Sequence, residues 1–179
     1  EFRRVLFRSA IKHNVRLIVD HEHELDIIEK VVTKEGKARL LIRLKPEIEA
    51  HTHKYIKTGH IESKFGIDKK DMLQVIKRIN DHEKMSFLGI HAHIGSQIFE
   101  THPYLDLVDI MVEHMRTIKS QLGIHTEELN LGGGIGIQYT QEDDPPKIQE
   151  VILKQVEKLK RACQKYKLEL PLDRKSTRL

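Results

Sequence analysis

Residues 128–137 read ELNLGGGIGI, and this stretch decides what class of fold the chain adopts. We interpret residues 128–131 as an apolar strand that ends in Gly132, Gly133 and Gly134, just before a helix. Glycines lack a Cβ, so several backbone N–H groups can converge on one anion, and a helix start would add its positive dipole end. A tight turn with positive φ would also require glycine. The arrangement favours a phosphate-binding loop in a parallel β/α protein.

Short apolar strands alternate with amphipathic helices along the rest of the chain. This alternation is typical of βαβ units with a parallel sheet. A doubly wound sheet would bind its ligand at a switch point, and a βα barrel would bind it at the carboxyl ends of several strands. The predicted strands are 15–20, 38–44, 87–94, 128–131 and one that starts at 168–170, and the predicted helices are 21–32, 69–80, 104–122 and 147–166.

The positions of the polar motifs separate these two architectures. Polar or glycine-rich segments follow three successive predicted strands, which favours the barrel. A full barrel needs roughly 250 residues, so a chain of 179 residues with about five strands indicates an incomplete one. The predicted fold class is therefore α/β, an incomplete TIM-type (β/α) barrel of parallel strands alternating with helices.

Composition restricts the possible partners. Hydrophobic residues make up 39% of the chain, and no apolar run approaches the length of a membrane span, so we expect no membrane partner. Six of the 31 basic residues but only two of the 27 acidic ones lie in 1–9 and 173–179, which leaves the rest neutral. With 5% aromatic residues and no Trp, we expect no nucleic-acid partner. The single cysteine, Cys163, is typical of a reducing cytoplasm.

A histidine motif, HAHIGSQ, occupies residues 91–97. On a strand, His91 and His93 would project to the same face. One interpretation is a metal-binding pair. In a second, one imidazole lies against a ring-shaped ligand, while Gly95 and Ser96 offer an N–H and a hydroxyl to a phosphate. In a third, both histidines belong to the core.

Two cations lie near the predicted strand ends. Arg43 ends an apolar strand, and an inward arginine at a barrel mouth usually has an anionic or phenolic partner. Lys64 lies in the long polar stretch 47–67, and a loop of that length is usually functional. Lys64 would either contact an anion or be solvated, and spacing alone does not distinguish the two.

Three motifs in order resemble one enzyme family. They are the strand end from Arg43 to Pro46 that runs into residues 49–66, the HAHIGSQ motif, and residues 131–137. The combination resembles diaminopimelate decarboxylase, of the alanine-racemase-like class (fold type III) of pyridoxal-phosphate enzymes. The resemblance runs from about residue 9 to residue 171 and implies pyridoxal 5'-phosphate as the cofactor.

The resemblance also implies roles for individual residues. His93 would stack on the pyridine ring as a catalytic residue, and Ser96 with the triple glycine would hold the phosphate. Two basic residues would line the site. The cofactor-binding residues implied in this way are Arg43, Lys64, His93, Ser96, Gly132, Gly133 and Gly134.

The function implied is the decarboxylation of meso-diaminopimelate to L-lysine in lysine biosynthesis. The resemblance also implies that the substrate is a small amino acid, that the location is cytoplasmic, and that the parent enzyme is a homodimer. A related ornithine, arginine or carboxynorspermidine decarboxylase is an alternative. A metal-dependent barrel hydrolase that uses His91 and His93 is a further alternative, and it would require more ligands at other strand ends.

Several family features have no counterpart in the sequence. The Schiff-base lysine of the family lies before the region of resemblance, and its Glu-Pro-Gly-Arg motif is replaced after Pro171. We therefore expect the chain to be a fragment that is inactive by itself. The two basic ends fit neither the family nor a barrel strand. We predict that residues 10–172 form the partial barrel domain and that residues 1–9 and 173–179 are non-native.

Overall fold

A computed structural model describes residues 2–46 and 65–173, and within these ranges parallel strands alternate with helices. Each strand pairs with the next one along the chain, in the order β1-β2-β3-β4-β5. Because this order has no reversal, the sheet follows a barrel and not a doubly wound fold. The strands are β1 Arg16–Val19, β2 Ala38–Arg43, β3 Met85–His91, β4 Glu128–Asn130 and β5 Leu172–Asp173; the helices are α1 Phe2–Lys12, α2 His23–Glu35, α3 Lys69–Asp81, α4 His102–Leu122 and α5 Ile148–Tyr166.

An ion pair across the sheet indicates its curvature. The Arg16 Nε donates to the Glu128 carboxylate at 2.5 Å, although these residues begin β1 and β4, which are not neighbours. In a flat sheet three strand spacings would separate their backbones by about 14 Å. The Glu128 side chain is almost fully buried. The sheet therefore curves so that the amino ends of β1 and β4 approach each other, as in a barrel.

The helices are amphipathic, as predicted, and bury their apolar faces. Helix α4 buries Val108, Val112, Met115 and Ile118. Its last residue is Leu122, as predicted, and it is capped by Gly123, whose φ of 67° is left-handed and whose N–H donates to the Lys119 carbonyl. Among the described residues, no helix is long and apolar enough to cross a membrane.

Two predicted strands are placed differently in the structure. The strand predicted over 87–94 begins at Met85 and ends at His91. The fifth strand is Leu172–Asp173 and does not start at 168–170. The reason is the end of α5, where Lys167 takes a left-handed φ of 52° and the Leu168 N–H bonds back to Cys163. This segment therefore completes the cap of α5 before the chain enters β5, which lies beside β4.

The helix predicted over 147–166 is confirmed as α5, but the prediction that a helix starts just after the triple glycine is wrong. Helix α5 begins at Ile148, and residues 135–147 form an irregular segment before it. Its dipole therefore does not start at the glycines. Residues 47–64, which include Lys64, and residues 174–179 lie outside the described residues.

Candidate functional site

The carboxyl ends of β3 and β4 bring the histidine motif against the glycine loop. In the sheet register His91 lies opposite Asn130. The Ala92 N–H donates to the Asn130 carbonyl at 3.0 Å, and the His91 Nδ1 lies 3.2 Å from the same oxygen. Burial lowers the pKa of His91, and the interaction with Asn130 opposes this effect. His91 is therefore a buried residue that faces β4.

His93 has a different environment from His91. Because β3 ends at His91, His93 lies in the loop after the strand, and strand alternation does not govern its direction. Its side chain is half-buried. Burial lowers the pKa of His93, and the charge of Arg43 lowers it further. At neutral pH this imidazole is uncharged, which suits contact with the face of an aromatic ring.

Glycine is required in the loop because the chain approaches the histidine motif so closely. A Cβ on Gly132 would lie 2.7 Å from the Ala92 carbonyl and 3.0 Å from the His93 Nδ1. A Cβ on Gly134 would lie 1.8 Å from the Gly95 carbonyl. Both glycines also have positive φ, 70° and 88° respectively. The tight-turn interpretation is therefore correct for these two positions, and the contact places the loop beside the histidine motif.

The same contact gathers hydrogen-bond donors suited to an anion. Ser96 is exposed, and its Cα would be 3.2 Å from a Cβ on Gly134. The Gly132 N–H donates to the Asn130 Oδ1, whereas the N–H groups of Gly133 and Gly134 have no acceptor among the described residues. The structure thus brings together a hydroxyl and backbone amides, and these fit a phosphate without a helix dipole.

Arg43 has the anionic partner that the sequence predicts for it. Its Nη1 donates to the Asp20 Oδ1 at 2.9 Å, and its guanidinium carbon lies 5.3 Å from the centre of the Phe65 ring. In the register of the sheet Arg43 is opposite His91. Arg43 is therefore held at the carboxyl ends of β1, β2 and β3, where its charge acts on both histidines.

The sequence interpretation missed two residues at these strand ends. Asp20 follows the apolar strand β1 directly, and a carboxylate in that position is the signal that would have indicated a partner for Arg43. Gln97 closes the histidine motif, and its side chain bonds to the backbone of Ile137. Its signal is weak, because the partner lies forty residues away in the chain.

A metal site has little support in the described part of the chain. Within those residues no three His, Cys, Asp or Glu side chains form a group that could hold an ion. The His91 Nδ1 is already directed at the Asn130 carbonyl. These observations give a metal-dependent hydrolase no described ligands beyond the predicted histidine pair.

A family comparison gives the class of protein. The family described as pyridoxal-dependent decarboxylase, pyridoxal binding domain, matches residues 3–172. The chain belongs to this family.

Individual relatives narrow the comparison to diaminopimelate decarboxylases. The chain is 41% identical over 165 residues to that of Synechocystis sp., covering 92% of this chain and 35% of the relative. It is 33% identical over 168 residues to that of Bacillus subtilis, covering 92% and 38%. The chain thus spans little more than a third of the length of these relatives.

Solved structures agree with this family and with the partial barrel. The diaminopimelate decarboxylase of M. jannaschii in complex with L-lysine superposes with a TM-score of 0.82 at 27% identity, covering 96% of this chain and 40% of that one. The Helicobacter pylori enzyme complexed with L-lysine gives a TM-score of 0.76 at 28% identity, covering 95% and 42%. A lysine/ornithine decarboxylase from Vibrio vulnificus, at 20% identity, shares the fold.

Proposed function

We propose that this chain is the central part of the pyridoxal-phosphate barrel of a diaminopimelate decarboxylase. The parent enzyme would convert meso-diaminopimelate to L-lysine and CO2. One observation carries the proposal: where β3 and β4 end, Gly132 lies against His93, whose pKa is lowered by burial, and Gly134 lies against the exposed Ser96. The family relationship and the diaminopimelate decarboxylase relatives support the same assignment.

The residues present fit pyridoxal phosphate in two respects. The amides of Gly133 and Gly134 and the Ser96 hydroxyl are donors suited to its phosphate. An uncharged His93 is suited to the face of its pyridine ring, which is where we place the catalytic residue. When bound, the cofactor supplies an electron sink for the electron pair left by departing CO2.

Arg43 is assigned to the electrostatics of this site. Arg43 is held by Asp20, and its charge adds to the effect of burial in lowering the pKa of His93. Lys64 is proposed as a further cofactor-site residue from the family resemblance alone, because it lies outside the described residues. The cytoplasmic location, the homodimeric parent and the non-native ends 1–9 and 173–179 stay predictions.

A chimera tests the activity and the substrate together. Residues 10–172 would replace the corresponding segment of the Synechocystis relative, so that the host supplies the parts that this chain lacks. We expect the chimera to release CO2 from meso-diaminopimelate and to form L-lysine, and to be much less active on L-ornithine and L-arginine. Faster release of CO2 from ornithine or arginine would instead assign the chain to a related decarboxylase.

A binding experiment tests the cofactor site on the chain itself. Aldehyde-free analogues avoid nonspecific reaction with surface lysines, so we would compare 4-deoxypyridoxine 5'-phosphate with 4-deoxypyridoxine by calorimetry. The phosphorylated analogue should bind more tightly because its phosphate meets the glycine loop and Ser96. Ser96→Ala should reduce this preference, and Ser120→Ala, at an exposed serine of α4, should leave it unchanged. Equal affinities for the two analogues would contradict the proposed site.

A further inference from the structure

Gln97 has a backbone conformation that its side chain does not favour. Its φ is 58°, which lies in the left-handed region that glycine adopts easily and that costs other residues about 1 kcal/mol or more. It directly follows the donors Gly95 and Ser96 of the proposed phosphate site. A strained non-glycine residue beside a site persists when the surrounding contacts hold it there.

The contacts that hold Gln97 are a reciprocal pair of hydrogen bonds. Its Nε2 donates to the Ile137 carbonyl at 2.6 Å, and its Oε1 accepts from the Ile137 N–H at 3.2 Å. The side-chain amide therefore pairs with the backbone of the glycine loop as a neighbouring strand would. The Gln97 side chain thus satisfies both the N–H and the carbonyl of Ile137.

Backbone bonds continue this pairing toward the triple glycine. The Ile98 N–H donates to the Gly134 carbonyl at 3.0 Å, and the Gly136 N–H donates to the Ile98 carbonyl at 2.8 Å. Ile98 and Ile135 form a parallel bridge. The two loops thus form a short parallel ladder, and Gln97 extends it at the end away from the sheet.

We propose that Gln97 is a positioning residue that clamps the triple-glycine loop onto the Gly95–Ser96 turn and so fixes the phosphate-binding amides of Gly133 and Gly134. This inference rests on the proposed function. We assign Gln97 no direct role toward the cofactor ring or the reacting atoms. Its role is to hold two loops whose donors must face one anion at the same time.

Two substitutions separate the clamp from the backbone strain. Gln97→Met removes both hydrogen bonds and keeps a side chain of similar size in the left-handed conformation. Gln97→Gly removes both bonds and relieves the strain, so it should fold at least as stably as the parent chain. Asn14→Gly is the matched control, because it removes an exposed amide side chain at a φ of 53° in the turn before β1.

The measurements are the affinities for 4-deoxypyridoxine 5'-phosphate and 4-deoxypyridoxine, and the hydrogen exchange of the Ile98 and Gly136 amides. In both Gln97 variants the preference for the phosphorylated analogue should fall about tenfold, which corresponds to about 1.4 kcal/mol. The two amides should exchange faster, while amides of β3 keep their protection. Asn14→Gly should match the parent chain in both measurements.

The outcomes distinguish this inference from the proposed function. If the parent chain prefers the phosphorylated analogue and the Gln97 variants keep that preference, the clamp is wrong and the cofactor site stands. If the parent chain has no such preference, both the cofactor site and the clamp are wrong. A reduced preference in Gln97→Gly with undiminished stability supports the clamp, because a purely structural role would lower the preference and the stability together.

Discussion

Gly134→Ala should destabilise the chain far more than Gly123→Ala, although both substitutions place alanine at a positive φ. Gly123 caps α4 at a φ of 67°, and a Cβ there would have no atom within 4 Å. Gly134 has a φ of 88°, and a Cβ there would lie 1.8 Å from the Gly95 carbonyl oxygen. The pair therefore separates backbone strain from the steric requirement of the proposed phosphate loop.

The difference between the two variants follows from these contacts. Left-handed alanine costs about 1 kcal/mol, and this is the whole effect expected for Gly123→Ala. At Gly134 the overlapping atom belongs to the backbone, so the loops must move apart, and such overpacking adds about 2 kcal/mol. The separation would also weaken the bond from the Ile98 N–H to the Gly134 carbonyl. We expect a total loss of about 3 kcal/mol for Gly134→Ala.

Urea unfolding followed by far-UV circular dichroism measures this difference. With a slope of about 2 kcal/mol per molar urea, the midpoint should fall by about 0.5 M for Gly123→Ala and by about 1.5 M for Gly134→Ala. The preference for the phosphorylated analogue should disappear in Gly134→Ala and remain in Gly123→Ala. Equal midpoint shifts, or an undiminished preference in Gly134→Ala, would refute the close approach of the two loops.

Three further predictions concern charge, pH and activity. Arg43→Gln should raise the pKa of His93, because the nearby positive charge that lowers it is removed; the Cε1–H chemical shift followed against pH measures this, and an unchanged or lower pKa would contradict the placement of Arg43. His114 is buried in α4, and burial with the nearby charge of Lys69 lowers its pKa to about 4. Between pH 6.5 and 4 the unfolded chain therefore binds a proton at His114 that the folded chain does not. The free energy of unfolding should be unaffected by this group above pH 6.5 and should fall by about 3 kcal/mol as the pH falls to 4. His114→Leu should flatten this dependence and His13→Leu, at an exposed position, should not; equal slopes in all three chains would show that His114 is not responsible. The chain alone should release no CO2 from meso-diaminopimelate, and stoichiometric borohydride-reducible attachment of pyridoxal phosphate at one lysine would contradict this.

The inactivity that we predict for the chain alone also has a basis at the described strand ends. Among the described strand ends, a lysine lies after β2: this is Lys45, whose Nζ is 2.9 Å from the Asp68 carboxylate. Asp68 occupies the N-cap position of α3, but its side chain makes no cap hydrogen bond and pairs with Lys45 instead. The Lys45 side chain is therefore engaged in an ion pair and is not available as a nucleophile unless that pair breaks.

The local pattern of the sequence was sufficient for most of the fold. Apolar periodicity placed α3, α4 and β2 within a few residues of their observed bounds, because these elements bury one continuous face. Periodicity failed at two strand bounds: β3 ends at His91, three residues before the predicted end, and the left-handed cap at Lys167 delays β5.

The candidate site was predictable to the extent that it is contiguous in sequence. The motif from His91 to Gln97 and the triple glycine each stand out as a short run of unusual residues. Their mutual contact does not, because Gly134 and Gly95 are distant in the chain and meet through the register of β3 and β4. The same holds for Asp20 and Arg43, which lie at the ends of neighbouring strands.

The sequence alone is enough to identify a parallel α/β chain with a glycine loop and a histidine motif at successive strand ends. Alternating periodicities and glycine chemistry are local properties, so each segment can be interpreted without knowing what it packs against. Three contacts are visible only in the folded chain: His91 faces Asn130, His93 lies beside the glycine loop, and Gln97 pairs with Ile137. These facts depend on sheet register and curvature, which the whole core fixes and no single segment encodes.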